Sequence, residues 1–448
     1  MVLLTVDTLR PDHLSIYGYA RNTDPNLARF AADGTVFLRA YTPRGKTTPS
    51  YASMFTGLYP YRHGLRTLGQ GLAGANRTLA EILGRAGYTG HAFVSSTVMI
   101  AKLSNLDQGF DEWDDRMPVR EKNRANYQRL AHQSVSALLT AFARNRKPAF
   151  WFLHLIDPHS PYRPPGSFGG QFHGGSKRRV DARAIGRARR LDGADTLGDY
   201  VNAYDGEIAY ADAELGRLLT ALRESGTYDR ALIIFTADHG ESLGEHNSWF
   251  RHGENLHEES MRVPLIVKPP KRWLRRPLRR WDGAVSLVDV VPTVLDYRGI
   301  REKYALDGLS LRPLVEGHGK NRERVVFSTK PSARVDDWAA HDRRGSLIAT
   351  GCKKQLTPSE FCRMQYFDDR NDPGHRSPRS DGSGFERLAG ALRSFVAKAR
   401  SYKRPFPVRR IYNPADKNFV QTFIEGRGAG ERGLSEQDRE NLKSLGYL

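Results

Sequence analysis

The chain has 448 residues, 39% of them hydrophobic, and a formal net charge of +19. That length accommodates one large α/β domain plus a smaller appendage, and the absence of any apolar run of about 18 residues excludes a transmembrane helix. Met1 leads straight into a strand pattern, and Asp7 arrives too early for the apolar core of a signal peptide. The expected location is therefore cytoplasmic as the sequence stands, or periplasmic or membrane-anchored if a further N-terminal segment precedes it.

In chain order, Leu3 to Val6 reads as a buried strand that delivers Asp7. Asp24-Pro25 opens a helix with Leu27, Phe30 and Ala31 on one face and Gly34 past its end. Thr47-Thr48-Pro49-Ser50 opens another, with Pro49 in the first turn and Gly57 at its end. Thr78 and Glu81 form a capping box, and Gly87 closes that helix. Further buried strands are predicted at His91 to Val94, Phe150 to Leu155, Leu232 to Phe235 and Pro264 to Val267. Between them, Tyr200 to Glu224 carries one apolar stripe (Val201, Tyr204, Ile208, Ala211, Leu215, Leu218, Leu222) and stops before Gly226. Strands alternating with helices predict an α/β fold with a mainly parallel central sheet covered on both faces.

Residues 166–196 are rich in Gly, Arg and Ser and read as an inserted basic loop. After residue 331 the character changes. Strands at Ser346 to Thr350 and Met364 to Phe367, a turn at Asn371-Asp372-Pro373-Gly374 and a helix near Phe385 to Ala399 predict a smaller C-terminal α+β subdomain. The division is thus a catalytic domain over 1–331 and a subdomain over 332–448. Cys352 and Cys362 could meet across a strand pair as a disulfide, which an oxidising compartment would allow, or stand as two thiols; their spacing is not that of a zinc site.

In such sheets ligands bind beyond the carboxyl ends of the strands. Asp7, Asp157, His159, Asp238 and His239 all fall there. Asp7, Asp238 and His239 offer two hard oxygens and one imidazole nitrogen; with the Thr47 hydroxyl they make a mixed donor set that suits zinc or manganese, while calcium or magnesium prefers more oxygen. A hydroxyl at a helix start becomes a nucleophile when a cation draws off its proton; taken alone, the segment favours the reading of Thr47 as an ordinary helix cap. His159 and His252 follow rigid or glycine-rich turns and could bind non-bridging oxygens, protonate a leaving group or instead ligate a second metal.

Beyond these readings, the motifs resemble the sulfatase branch of the alkaline phosphatase superfamily. They are Val6-Asp7-Thr8-Leu9-Arg10-Pro11-Asp12-His13, Thr47-Thr48-Pro49-Ser50, Thr56-Gly57-Leu58-Tyr59-Pro60, Arg62-His63-Gly64, Asp157-Pro158-His159-Ser160-Pro161-Tyr162, Thr236-Ala237-Asp238-His239-Gly240-Glu241, Glu258 to Ile266, Asn371-Asp372-Pro373-Gly374 and Leu445-Gly446-Tyr447. The resemblance implies an alkaline-phosphatase-like α/β/α sandwich, a covalent intermediate on Thr47, and metal binding by Asp7, Asp238 and His239. Thr48, His159 and His252 would bind substrate. This chain departs from the family at three positions. Thr47 stands where true sulfatases carry a Cys or Ser that is oxidised to formylglycine, Tyr51 where they carry arginine, and Thr8 where they carry a second acidic ligand. The reading is a metal-dependent hydrolase of sulfuric or phosphoric esters, with phosphoester or phosphodiester favoured over sulfate ester.

Two alternatives stand beside it. One is a phospho-group transferase resembling phosphoethanolamine transferases and acting on lipid or glycan. The other is a degenerate enzyme that binds polyanions. The basic runs at Lys177 to Arg190 and Lys271 to Arg280 would serve either, attracting anionic lipid or glycan surfaces. Nucleic acid is an unfavoured partner, because the runs lack interleaved aromatic platforms beyond Trp273 and Trp281.

Overall fold

The computed structural model describes residues 1–117, 129–273, 280–318, 324–332, 335–353 and 362–402. The motif Leu445-Gly446-Tyr447 and part of the second basic run lie outside these. In chain order the strands of the larger part are β1 (Val2–Val6), β2 (Thr35–Tyr41), β3 (Thr89–Phe93), β4 (Glu112–Asp114), β5 (Ala149–Leu155), β6 (Ile233–Ala237), β7 (Ser242–Leu243), β8 (Trp249–Arg251), β9 (Arg262–Lys268) and β10 (Arg280–Ser286). Eight of them form one sheet in the order β10-β2-β9-β6-β1-β5-β3-β4. β1 pairs in parallel with both β5 and β6, at its centre, and β9 alone runs antiparallel to its neighbours. Every residue of β1, β5 and β6 is buried, as a parallel sheet with helices on both faces demands.

All five strands expected from apolar runs are present in this sheet. The strands that reading passes over are β2, β4 and β10. β4 and β10 are its edges, and β2 and β10 carry Arg39, Arg280 and Asp282 within half-exposed stretches, so neither shows a continuous apolar run.

Some helix ends follow local chemistry and others take their partners from distant residues. Thr78 and Glu81 form the expected capping box, and a second box at Thr196 and Asp199 starts the long helix at Leu197, one turn ahead of the expected start. The helix Pro25–Ala31 is not capped by Asp24, whose carboxylate accepts from the Ser15 and Ile16 amides at 2.7 and 3.3 Å. Its free Asn26 and Leu27 amides donate instead to Asp212 of the long helix, at 2.9 and 2.8 Å. A tertiary carboxylate does the capping here, and it also binds the helix to the body of the domain.

The second sheet is antiparallel, β11 (Val326–Pro331), β12 (Val335–His341), β13 (Ser346–Lys353) and β14 (Arg363–Phe367). It is covered by helix Ser383–Ser401 through Leu388, Leu392 and Val396. The sheet opens at Val326, ahead of the expected boundary after residue 331, because β11 pairs along its length with β12. β11 also touches the main domain: Ser328 Oγ donates to the Thr42 carbonyl at 2.6 Å, and the Thr329 amide to Pro43 at 2.9 Å. Cys352 and Cys362 are joined as a disulfide. The basic insert closes on itself at a bridge between Arg179 and Thr196, and Arg178 lies 4.6 Å over the ring of Trp249 in β8. Among the described residues no helix is long and apolar enough to cross a membrane. The Arg312 guanidinium lies over one face of the Trp273 ring at 4.3 Å.

Candidate active site

β1 and β6 lie side by side with Val6 opposite Ala237, so the residues that follow them, Asp7 and Asp238, leave the sheet together. Both are fully buried, as is His239. The Asp-His-Gly turn is built by close backbone approach: a Cβ on Gly240 would stand 2.1 Å from the Glu259 carbonyl oxygen, while the Gly240 amide donates to Ser260 at 3.1 Å. Thr8 adopts φ +55°, a left-handed conformation unfavourable for a β-branched residue. It is held there by its amide on Asp238 Oδ1 at 3.3 Å and by the Tyr204 hydroxyl donating to its carbonyl at 2.8 Å.

One donor of each residue in the group Asp7, Asp238 and His239 lies within 4.8 Å of the others. The His239 Nδ1–H donates to the Gly240 carbonyl at 2.9 Å, so Nε2 carries a lone pair. That lone pair faces Asp238 Oδ2 at 3.3 Å, Asp7 Oδ1 at 3.9 Å and Thr47 Oγ1 at 3.3 Å. Neither oxygen of Asp7, nor Oδ2 of Asp238, meets a hydrogen-bond donor. Burial lifts both carboxyls well above the usual range, with the Glu241 charge adding to the effect on Asp7 and Asp7 to that on Asp238. Burial likewise pushes His239 well below the ordinary imidazole range. An unpaired buried charge costs several kcal/mol, more than the about 1 kcal/mol a typical hydrogen bond returns. Two such carboxylates facing a neutral imidazole lone pair fit a divalent cation.

Thr47 is the first residue of helix Thr47–Thr56; Lys46 occupies the cap position, and no side chain caps the helix. The capping alternative for Thr47 is therefore set aside. Ser50 Oγ donates to the Asp238 carbonyl at 2.8 Å and ties the helix to the end of β6. Gly57 ends the helix at φ +69°. Tyr51, where the resemblance puts arginine, points into the core and donates to Thr5 Oγ1 at 2.9 Å. Thr48 is buried beside Thr47.

His159 and His252 close the other side. Their ring centroids are 5.1 Å apart, and His252 lies 4.4 Å from His239. His159 Nδ1–H donates to the Ser160 carbonyl at 2.7 Å. His252 Nδ1 contacts Glu241 Oε1 at 3.2 Å, and the Tyr162 hydroxyl donates to the other Glu241 oxygen. Burial pushes Glu241 up to about 7 against the pull of that hydroxyl and of Arg189. Burial, then Arg189, lowers His159 to about 3. A Cβ on Gly253 would stand 2.4 Å from the Gly45 carbonyl oxygen, so the turn carrying His252 lies against the loop that enters the Thr47 helix. Lys46, at that junction, is lowered to about 8 by burial and then by Arg44.

The structure thus gathers Asp7, Thr47, Asp238, His239, His252 and His159 in one buried cluster. Asp157 leaves it: Oδ2 accepts from the Ala131 amide at 3.1 Å, at the start of helix Ala131–Arg144. Sequence reasoning missed His154, Lys46 and the pairing of Glu241 with Tyr162 and His252. The only signal for the last was a glutamate next to the Asp-His-Gly turn.

A family model described as Sulfatase matches residues 1–300. The chain belongs to the sulfatase family. Over an alignment of 462 positions, this sulfatase-family chain is 26% identical to an arylsulfatase of Clostridium perfringens, covering 89% of this chain and 93% of that protein. It is 38% identical over 210 residues to the multifunctional alkaline phosphatase superfamily protein PehA of Trinickia caryophylli, covering 45% of this chain and 39% of that protein. The phosphonate monoester hydrolase of Agrobacterium radiobacter superposes with a TM-score of 0.72 at 20% identity, over 89% of this chain and 95% of that one. Fold and family together make this sulfatase-family chain an ester hydrolase.

Proposed function

We propose that this enzyme hydrolyses sulfuric or phosphoric esters through a covalent intermediate on Thr47, with phosphate monoesters and diesters preferred to sulfate esters. The observation that carries this reading is the Thr47 hydroxyl 3.3 Å from the His239 Nε2 lone pair, beside three buried carboxylate oxygens, both of Asp7 and Oδ2 of Asp238, without a hydrogen-bond donor. Asp7, Asp238, His239 and Thr47 would hold one divalent cation, with zinc or manganese matching the mixed donor set better than calcium or magnesium. Such an ion, when bound, lowers the pKa of a hydroxyl and offsets the charge of an anionic ester.

The chain's own groups do the rest. Thr47 Oγ passes its proton to solvent water and attacks in line, forming the Oγ–P bond as the bond to the leaving oxygen breaks. His252, oriented by Glu241, is the proton carrier to the leaving group, and His159 and Thr48 hold non-bridging oxygens. An anionic ester between the rings favours their protonated form and opposes the burial that keeps them neutral. Water then attacks phosphorus, which releases the acid and restores the Thr47 hydroxyl. Positioning and fixed charges supply most of the rate.

Threonine supports the phosphoryl preference. It cannot be oxidised to an aldehyde, so a sulfated Thr47 has no exit by collapse and must be cleaved by attack at sulfur. The names of two similar proteins, PehA and a phosphonate monoester hydrolase, support the same direction. The test is metal analysis of the purified protein followed by a panel of aryl sulfates, phosphate monoesters, phosphodiesters and phosphonate monoesters. Expected are activity abolished by a chelator and restored by zinc or manganese, and a kcat/KM highest for a phosphorus ester. An aryl sulfate outrunning every phosphorus ester overturns the preference, and headgroup transfer to an added alcohol outpacing hydrolysis reassigns the enzyme as a transferase.

A further inference from the structure

His154 stands outside every role given above. It sits on β5 opposite Thr5 of β1, two residues before Asp7, and is fully buried. The Ser95 amide donates to its Nδ1 at 3.2 Å. An amide N–H has only a proton to give, so Nδ1 bears the lone pair, the ring is neutral, and its proton is on Nε2. That nitrogen has no hydrogen-bond partner of standard geometry and faces Asp7 Oδ2 at 3.4 Å.

A protonated Nε2 cannot ligate a cation, so His154 is excluded as a ligand. It can only donate. The two Asp7 oxygens are already divided: Oδ2 faces His154, and Oδ1 faces His239 Nε2 at 3.9 Å. The imidazole is held in this attitude by Tyr51, whose ring meets it edge-on at 5.3 Å and whose hydroxyl is anchored on Thr5 Oγ1.

We propose that His154 is the positioning residue of Asp7, its Nε2–H restraining Oδ2 so that Oδ1 is presented to the cation. The proposal rests on the metal-binding role assigned to Asp7, Asp238 and His239. Loss of an outer partner of a metal ligand weakens metal affinity by roughly 10- to 100-fold. His154→Leu removes the donor and keeps an apolar side chain, whereas His154→Gln returns an amide N–H close to the place of Nε2.

The experiment titrates stripped wild type, H154L and H154Q with zinc and with manganese against a competing chelating indicator. The melting temperature of each metal-free protein is recorded alongside. The expected result is roughly a 10- to 100-fold rise in Kd for H154L and recovery of most of that loss in H154Q; metal-free H154L should melt somewhat lower than wild type, because the Ser95 amide loses its acceptor. If H154L does not fold, H154N replaces it, since its shorter amide reaches the Nδ1 position only; the same loss is expected. Equal affinity of H154L or H154N and wild type overturns the positioning role alone, as does a loss in H154Q as large as in H154L. Wild-type protein that takes up neither metal overturns the metal reading and this role with it.

Discussion

Replacing Thr47 by alanine separates the proposed chemistry from the scaffold around it. Thr47 is 1% exposed, and its hydroxyl makes one long contact, 3.3 Å to His239, so losing it costs about 1 kcal/mol of stability. Ser50 still ties the helix to Asp238, and Gly57 still ends it; folding should be intact. His159 and Thr48, which would hold the non-bridging oxygens, remain in place, so KM should change little. Turnover has no nucleophile left and should fall by a factor on the order of a thousand or more, about 4 kcal/mol in activation free energy. T47S, which keeps a hydroxyl, should retain a substantial part of the activity. The assay pairs steady-state kinetics on the best phosphorus ester with acid-quenched mass spectrometry. Wild type should yield a phosphorylated peptide containing Thr47, and T47A should not. T47A turning over within tenfold of wild type would refute the covalent mechanism, and so would a phosphorylated peptide that maps elsewhere.

Two further outcomes follow from packing and burial. Gly240→Ala drives a Cβ to 2.1 Å from the Glu259 carbonyl. It should destabilise the protein by about 1–3 kcal/mol and lower kcat/KM, because Asp238 and His239 move with the turn; denaturant titration and kinetics indistinguishable from wild type would show that the close approach is unimportant. His341 is buried, stacks on Tyr41 at 4.1 Å, contacts Ser346 and Ser328 hydroxyls, and is lowered by burial to about 3. An unfolded histidine titrates near 6.5, so between about pH 6.5 and 3 the unfolded chain binds the extra proton and stability falls as pH falls. From pH 6.5 to 4.5 this one group should remove about 2 kcal/mol. H341Q, compared by urea unfolding at the two pH values, should lose about that much less; an unchanged pH dependence would assign the acid sensitivity to other groups.

Several features were legible from the chain alone because their causes are local. A continuous apolar run followed by Asp7 or by Asp238-His239-Gly240 identifies a buried strand and what stands at its end. The Thr78–Glu81 box and the stop at Gly57 likewise rest on residues a few positions apart. The alternation of these elements determined the α/β sandwich and the residues that meet at its edge. What only the tertiary structure decided depends on partners far apart in sequence. Asp212 caps a helix 186 residues away, and Asp157 caps another helix instead of joining the site. β2 and β10 became strands through pairing that their own polar residues do not advertise. His154 looked like one polar residue in an apolar strand until β1 and β5 came into register and set its N–H beside Asp7. A side chain's type is written in the sequence, but its proton, its charge and its partner are set by what the fold brings within a few ångströms of it.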